Sequence, residues 1–281
     1  MCNGSIMDKL ISFSLPLMVS GILQLAFNAV DIIVVGRFSG SQALAAVGST
    51  TALINVFANL FIGISLGANV LAARFYAAGK DREMSETVHT SITLALISGI
   101  MMAVIGVLLA KWALEIMGTP DDVIGQSALY MRIYFMGMPF FMLYNYGAAI
   151  LRAIGDTKRP LIFLIISGIA NAALNMILVI LFHMGVAGVA IGTIISQLIS
   201  CVLVLTCLYR SEGSYQLRFS KLKINGAYME QIFQVGVPAG IQSTVINLSN
   251  ALLQSSVNSF GSIAMAGYTA ANNILGFLYM S

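Results

Sequence analysis

Of the 281 residues, 58% are hydrophobic and 9% are charged, against about a quarter charged in an average soluble domain, so a soluble class is excluded and an integral membrane protein is expected. The net charge of +3 is too small to suggest a nucleic-acid partner. Cys2, Cys201 and Cys207 lack metal-ligand spacing, and His89 and His183 stand alone, so no metal site and no cofactor are expected.

A transmembrane helix needs about 20 apolar residues. Segments at 12–36, 44–72, 90–112, 126–151, 160–182, 187–209 and 229–258 meet that need, and an eighth begins near 262. The breaks fall at "AAGKDREMSE", "MGTPDD", "GDTKRP", "HMG" and "RSEGSYQLRFSKLKING", where charge, Gly and Pro cluster as in loops. The N-terminal run is too long for a cleavable signal and continues into a polar stripe. With the N-terminus inside, eleven of the fourteen Lys and Arg fall on the cytoplasmic side, leaving Arg37, Lys111 and Arg132 outside or near the outer end. The expected location is the cell membrane, multi-pass, with a cytoplasmic N-terminus.

Several of these spans carry polar stripes at helical spacing. The first holds Ser20, Gln24, Asn28 and Asp31, and the second holds Thr51, Asn55 and Asn59. Ser167, Asn171 and Asn175 follow on the fifth, and Ser243, Asn247, Asn250 and Gln254 on the seventh. For the hydroxyl groups, ordinary interhelical hydrogen bonding suffices. The amides together with Asp31 point instead to a polar cavity. "GISLG", "GVAIG" and "GVPAG" are GxxxG patterns, a sign of close helix packing rather than function.

Shifting the chain by 222 residues sets "SLPLMVSGILQLAFNAVDIIVVGRF" on "GVPAGIQSTVINLSNALLQSSVNSF". Pro16 then pairs with Pro238, Asn28 with Asn250 and Phe38 with Phe260, and after a one-residue gap Gly40 pairs with Gly261. The second copy restarts after six spans, so both copies share one orientation, as in parallel transporter repeats. The expected architecture is all-α. A six-helix lobe covers 1–210, a cytoplasmic inter-lobe loop 211–228, and the start of a second, repeat-related lobe of a twelve-helix protein 229–281. On that reading the chain is a fragment.

Asp31 differs in kind from the other acidic residues, which fall in loops or at span ends. An ionised carboxylate at depth costs at least ~2.5–3.5 kcal/mol, and such residues mark ion or proton pathways. Burial disfavours its charged form and brings proton exchange closer to physiological pH. The position matched to it in the repeat is Leu253, so the titratable group belongs to the first copy alone.

"VDIIVVGRFSGSQALAAVG", "RFYAAGKDREMSETVHTSI", "LRAIGDTKRP" and "GIANAALNMIL" together resemble the multidrug and toxic compound extrusion (MATE) family, in its bacterial and archaeal branch, over essentially the whole chain. The resemblance implies twelve helices in two lobes and export of organic cations, drugs or other xenobiotics in exchange for protons or sodium ions. It makes Asp31 the ion-coupling acid of the first helix and Pro16 the proline at which that helix bends. Asn145, Asn171 and Thr193 match polar positions lining the first-lobe cavity, and Gln24 and Asn28 join Asn145 as candidate substrate-cavity residues. Asn175 stands where relatives often carry a second acid, which puts the coupling ion, H+ or Na+, in question. The implied partners are small organic cations and the bilayer, and the full-length protein is expected to be a monomer.

Met residues, with Tyr134, Phe140, Phe141 and Tyr144, offer an adaptable apolar wall. A lipid-linked oligosaccharide flippase of the same superfamily is the alternative, yet it calls for more cationic residues than Arg132 to meet pyrophosphate. A membrane enzyme lacks a constellation here, with neither HExxH nor paired intramembrane acids, and an ATP-driven pump lacks GxxxxGK[ST].

Overall fold

The computed structural model describes residues 6–280, and every regular element in them is helical. Two long helices come first, α1 (Ile6–Phe38) and α2 (Gly40–Ala77), followed by α3 (Asp81–Ile116). Two short ones follow, α4 (Asp121–Met136) and α5 (Met138–Ala153). Then come α6 (Lys158–Met176), α7 (Gly185–Arg210), α8 (Gly226–Asn258) and α9 (Ser262–Met280). Cys2 lies outside the described residues, and Cys201 and Cys207 are free thiols.

The helices overrun the expected spans. At 1.5 Å per residue the 38 residues of α2 and the 36 of α3 reach about 57 and 54 Å, against a hydrocarbon core of ~30 Å. Acids in the first turns of α3 and α4, Asp81, Glu83, Asp121 and Asp122, complement the positive ends of their helix dipoles.

The expected fourth span divides at Gly137. Pro139 has no N–H to give the carbonyl of Phe135 one turn back, and Phe140 and Phe141 donate instead to the carbonyl of Gly137 at 3.0 and 3.1 Å. The bend leans on α3, where a Cβ on Gly99 would stand 2.5 Å from the Cα of Pro139. The fifth span also loosens, since α6 runs into a π-helical turn, Ile177–Leu181, before a loop in which His183 takes φ 53°.

Among the described residues, five helical stretches are long and apolar enough to cross a bilayer, namely Leu10–Phe38, Gly40–Ala77, Asp81–Ile116, Lys158–Leu181 and Gly185–Arg210. Three expected spans are not among them: 126–151 is split by the Pro139 bend, and those of α8 and α9 carry many amide and hydroxyl residues. On α3, Leu108, Trp112 and Ile116 form an exposed apolar stripe at i, i+4 spacing, as on a lipid-facing surface.

The most extensive helix contact joins α2 to α8, and it is built from two of the GxxxG patterns. A Cβ on Gly63 would stand 2.2 Å from the Cα of Gly240, and one on Gly67 would stand 2.1 Å from the carbonyl oxygen of Ile232. In return, Gly236 meets the backbone of Ile64 and Gly240 that of Leu60, both at 2.5 Å. Only glycine permits this approach of backbone to backbone.

Both ends of α8 are tied to the earlier helices. Near its start, Asn225 donates its backbone N–H to Thr90 Oγ1 at 3.1 Å and its side-chain amide to Glu86 Oε2 at 2.7 Å. The loop before it is held by His89, whose Nε2 accepts the backbone N–H of Arg218 at 3.1 Å while Nδ1 lies 2.6 Å from the carbonyl of Ser85. At its far end, Asn258 Nδ2 and Ser255 Oγ both donate to the carbonyl of Met117 at 3.1 Å. α8 therefore runs parallel to α3 and is fastened at both ends. It resembles α1 in detail: each has 33 residues and an internal proline, Pro16 or Pro238, and the turn that follows holds a glycine at φ 89° or 88°, Gly40 or Gly261.

Candidate functional site

α1 meets α6 where Gly168 leaves room for the ring of Phe27, which a Cβ at that position would approach to 1.9 Å. One turn further along α1 stands Asp31. Its Oδ1 accepts a hydrogen bond from Asn175 Nδ2, and the same amide reaches Asn171 Oδ1 at 3.3 Å, one turn back on α6. Asn171 Nδ2 in turn donates to Thr193 Oγ1 on α7 at 3.4 Å, and Thr193 donates to the carbonyl of Val189 at 2.9 Å. The structure thus brings Asp31, Asn171, Asn175 and Thr193 into one hydrogen-bonded chain across three helices.

Asn175 has no exposed surface, and its Oδ1 has no hydrogen-bond partner among the described residues. Buried polar atoms are rarely left so. The oxygen faces Gly192, where a Cβ would stand 2.1 Å away, which explains why the "GVAIG" pattern ends in glycine there. The carboxylate, the amide oxygens and the threonine hydroxyl are hard oxygen donors, the ligand type a hard cation takes, but Asn175 presents its Nδ2 and not its unpaired Oδ1 to Asp31.

Asp31 also lines an open cavity of about 490 Å³ between α1, α2, α4, α8 and α9. Asn28, Thr51 and Asn55 share its wall with Asn247, Asn250 and Gln254 of α8, and with Tyr268, Thr269 and Asn272 of α9. Tyr130 completes it from α4, its ring 6.0 Å from that of Tyr134. Asp31 supplies the one charged side chain among the described residues that line this space.

The remaining expected residues lie elsewhere. Gln24 is exposed and does not line the cavity. Asn145 turns back on its own helix, donating to the carbonyl of Phe141 at 2.8 Å, and it too is absent from the wall. Tyr134, Phe140, Phe141 and Tyr144 do not form the wall either, and Tyr144 donates to the carbonyl of Pro160 at 3.2 Å. Pro16 is buried inside α1, its carbonyl accepting from Ser20 Oγ at 2.7 Å. Hydroxyls expected to bond between helices bond within them: Ser20 to Pro16, Thr51 to Val47 and Ser167 to Leu164.

Sequence reasoning missed Tyr130, Tyr268, Thr269 and Asn272. Asn272 carried a signal, an amide within the apolar run "AANNIL", whereas the tyrosines are indistinguishable by pattern from packing aromatics.

The comparisons with known proteins agree with this architecture. The MatE family model matches residues 16–177. The "Probable multidrug resistance protein YoeA" of Bacillus subtilis is 34% identical over 277 residues, covering 95% of this chain and 59% of that protein. The "Multidrug export protein MepA" of Staphylococcus haemolyticus is 26% identical over 279 residues, covering 98% and 61%. The solved structure of the MATE multidrug transporter DinF-BH superimposes with a TM-score of 0.90 at 23% identity, over 98% of this chain and 62% of that one. An outward-facing MATE transporter of the MOP superfamily gives 0.84 at 22% identity, over 98% and 63%. At these identities the solved structures speak to the fold alone, and the chain spans about three-fifths of the length of the relatives it matches. Since the family model covers more than half of the chain and takes in Asp31 and Asn175, the chain belongs to the MatE family.

Proposed function

We propose that this protein works as a secondary antiporter of the cell membrane, exporting organic cations or drugs in exchange for protons or sodium ions by alternating access. One observation carries the reading: the single deep carboxylate, Asp31, is bonded on one side to Asn175 and opens on the other to the cavity between α1, α2, α8 and α9. Ionised, it attracts a cation into that cavity. With a proton or sodium ion bound it no longer does. An ion that binds one conformation better than the other shifts their balance by its differential affinity and no more.

Asn171, Asn175 and Thr193 extend the site into α6 and α7, where their oxygens serve the coupling ion. Pro16 is the natural place for α1 to bend, because a helix-interior proline deletes one hydrogen bond. The excess of Lys and Arg in the loops on the N-terminal side supports a cytoplasmic N-terminus. The relatives' names, a multidrug resistance protein and a multidrug export protein, support drugs as the cargo.

The test is gradient-driven efflux of an organic cation from cells expressing the transporter, measured across a pH series and with imposed sodium gradients. Asp31→Asn is nearly isosteric and is expected to insert and fold at normal levels while coupled efflux falls to background. Coupled efflux at the wild-type rate in that variant would refute the assignment.

A further inference from the structure

On α7, Leu198, Val202 and Tyr209 are exposed at i, i+4 and i+11, one face of the helix, while α4, α5 and α6 pack elsewhere on it. α7 is among the stretches apolar enough to cross a bilayer, so this face meets acyl chains. The stripe ends on a pair of rings: Tyr209 and Phe219 stack at 5.8 Å with 25° between their planes, and both are more than half exposed. The turn that presents Phe219 is tied down on both sides. Leu217, fully buried, donates its N–H to the carbonyl of Leu208 at 3.0 Å, Arg218 donates its own to His89 Nε2 at 3.1 Å, and Lys221 closes the turn on the carbonyl of Arg218 at 2.9 Å. Exposed aromatics at the end of a span belong to the membrane–water boundary, where one side of the ring is apolar and the other wet.

Two cations stand beside the rings. Arg210 follows Tyr209, Arg218 precedes Phe219, and both are exposed. Arg218 Nε donates to Gln216 Oε1 at 3.1 Å and Gln216 Nε2 to the carbonyl of Tyr209 at 3.4 Å, so two hydrogen bonds link this guanidinium to the backbone of the ring pair. Neither arginine forms an ion pair with a described residue, the exposed Glu212 included, whereas Arg159 holds Asp156 at 3.2 Å. An apolar stripe, an aromatic boundary and uncompensated guanidinium groups follow one another in the order of acyl chain, glycerol and phosphate in a phospholipid. Guanidinium is the side-chain group best shaped to hold a phosphate.

From this sequence of surfaces we infer that the end of α7 and the turn at Phe219 form a binding site for an anionic phospholipid, its chains along Leu198 and Val202 and its phosphate taken by Arg210 and Arg218. The inference rests on α7 crossing the membrane and holds whichever side the turn faces.

The experiment is fluorescence quenching by brominated lipids in vesicles. Trp112, the single tryptophan, lies on the exposed stripe of α3 beside Lys111, which is paired with Glu115 at 3.7 Å. In the parent protein it reports insertion, and brominated phosphatidylglycerol and phosphatidylcholine should quench it alike. In a Trp112→Phe background, Phe219→Trp moves the reporter to the turn. There the glycerol lipid is expected to quench at least about twice as strongly at equal mole fraction, since each Lys or Arg near an anionic surface is worth roughly fivefold in local preference. Added salt should shrink that ratio, and Arg210→Gln with Arg218→Gln should bring it close to one. Equal quenching of the Phe219→Trp reporter by both lipids, or a ratio indifferent to salt and to the arginines, would overturn the anionic site. Quenching of Trp112 but not of that reporter would mean that protein, not lipid, covers the ring pair, and would overturn it equally. Quenching at neither position would bring down the membrane-spanning reading itself. The salt series decides the matter even if the double arginine variant fails to fold.

Discussion

Asn175 gives its N–H groups to Asp31 and Asn171 but keeps its own buried carbonyl oxygen unpaired beside Gly192. Asn175→Asp would place a second carboxylate within bonding distance of Asp31. Two like charges so close cannot both ionise at once, so one proton is held to higher pH, and the efflux optimum is expected to move upward across a pH series. Gly192→Ala tests the packing side of the same contact. Its Cβ would stand 2.1 Å from Asn175 Oδ1, and overpacking of this sort costs about 1–3 kcal/mol, read as a lower thermal midpoint. In an Asn175→Ala background the same change should cost much less, because neighbours that collide are not additive. Much of this site was legible beforehand. Asp31 stood out by its charge, and a 3.6-residue period placed Asn171 and Asn175 on one face of their helix. The rotamer that folds Asn145 back onto Phe141 leaves no trace in spacing, nor does the exposure of Gln24, because both depend on what neighbouring helices leave vacant.

Among the helices, the GxxxG patterns announced close packing without naming partners. Partner choice is a long-range fact: residues 63 and 67 meet 236 and 240 across most of the chain. Glycines that look alike in sequence should accordingly respond with opposite signs. Gly240→Leu would drive a side chain into the Leu60 carbonyl, where backbone cannot yield cheaply, and a loss of about 3 kcal/mol is expected. Gly125→Ala, in the open middle of α4 with nothing within 4 Å, should instead stabilise by up to about 1 kcal/mol, the helix-propensity difference. Thermal denaturation of the two purified variants in one detergent checks both. Pro139 was equally readable as a residue that disfavours helix, but apolar periodicity continued straight through it. The 126–151 segment therefore looked continuous until the contact with Gly99 on α3 was in view.

For the molecule as a whole, the loop charges make a topological prediction. A membrane-impermeant thiol reagent should label a cysteine introduced at Thr119 from outside, and should fail to reach one at Gly79 or Ser214 in sealed cells. The reverse pattern would overturn the cytoplasmic placement of the N-terminus. The order of the long helices followed from apolar runs and charged breaks, whereas the division of 126–151 into α4 and α5 did not. The attachment of α8 did not, because it depends on single hydrogen bonds from Asn225, Ser255 and Asn258 to residues more than a hundred positions away. That attachment bears on where the molecule divides. A rotation that carried α8 away as part of the second lobe would have to break its bonds to Thr90, Glu86 and Met117 together and part the glycine seam, at roughly 0.5–1.5 kcal/mol net for each hydrogen bond alone. A rotation that leaves α8 standing breaks none of them. In this conformation the glycine seam and these bonds fasten α8 to α2 and α3, so a hinge placed in the basic loop before α8 would have to part all of them before the second copy could move.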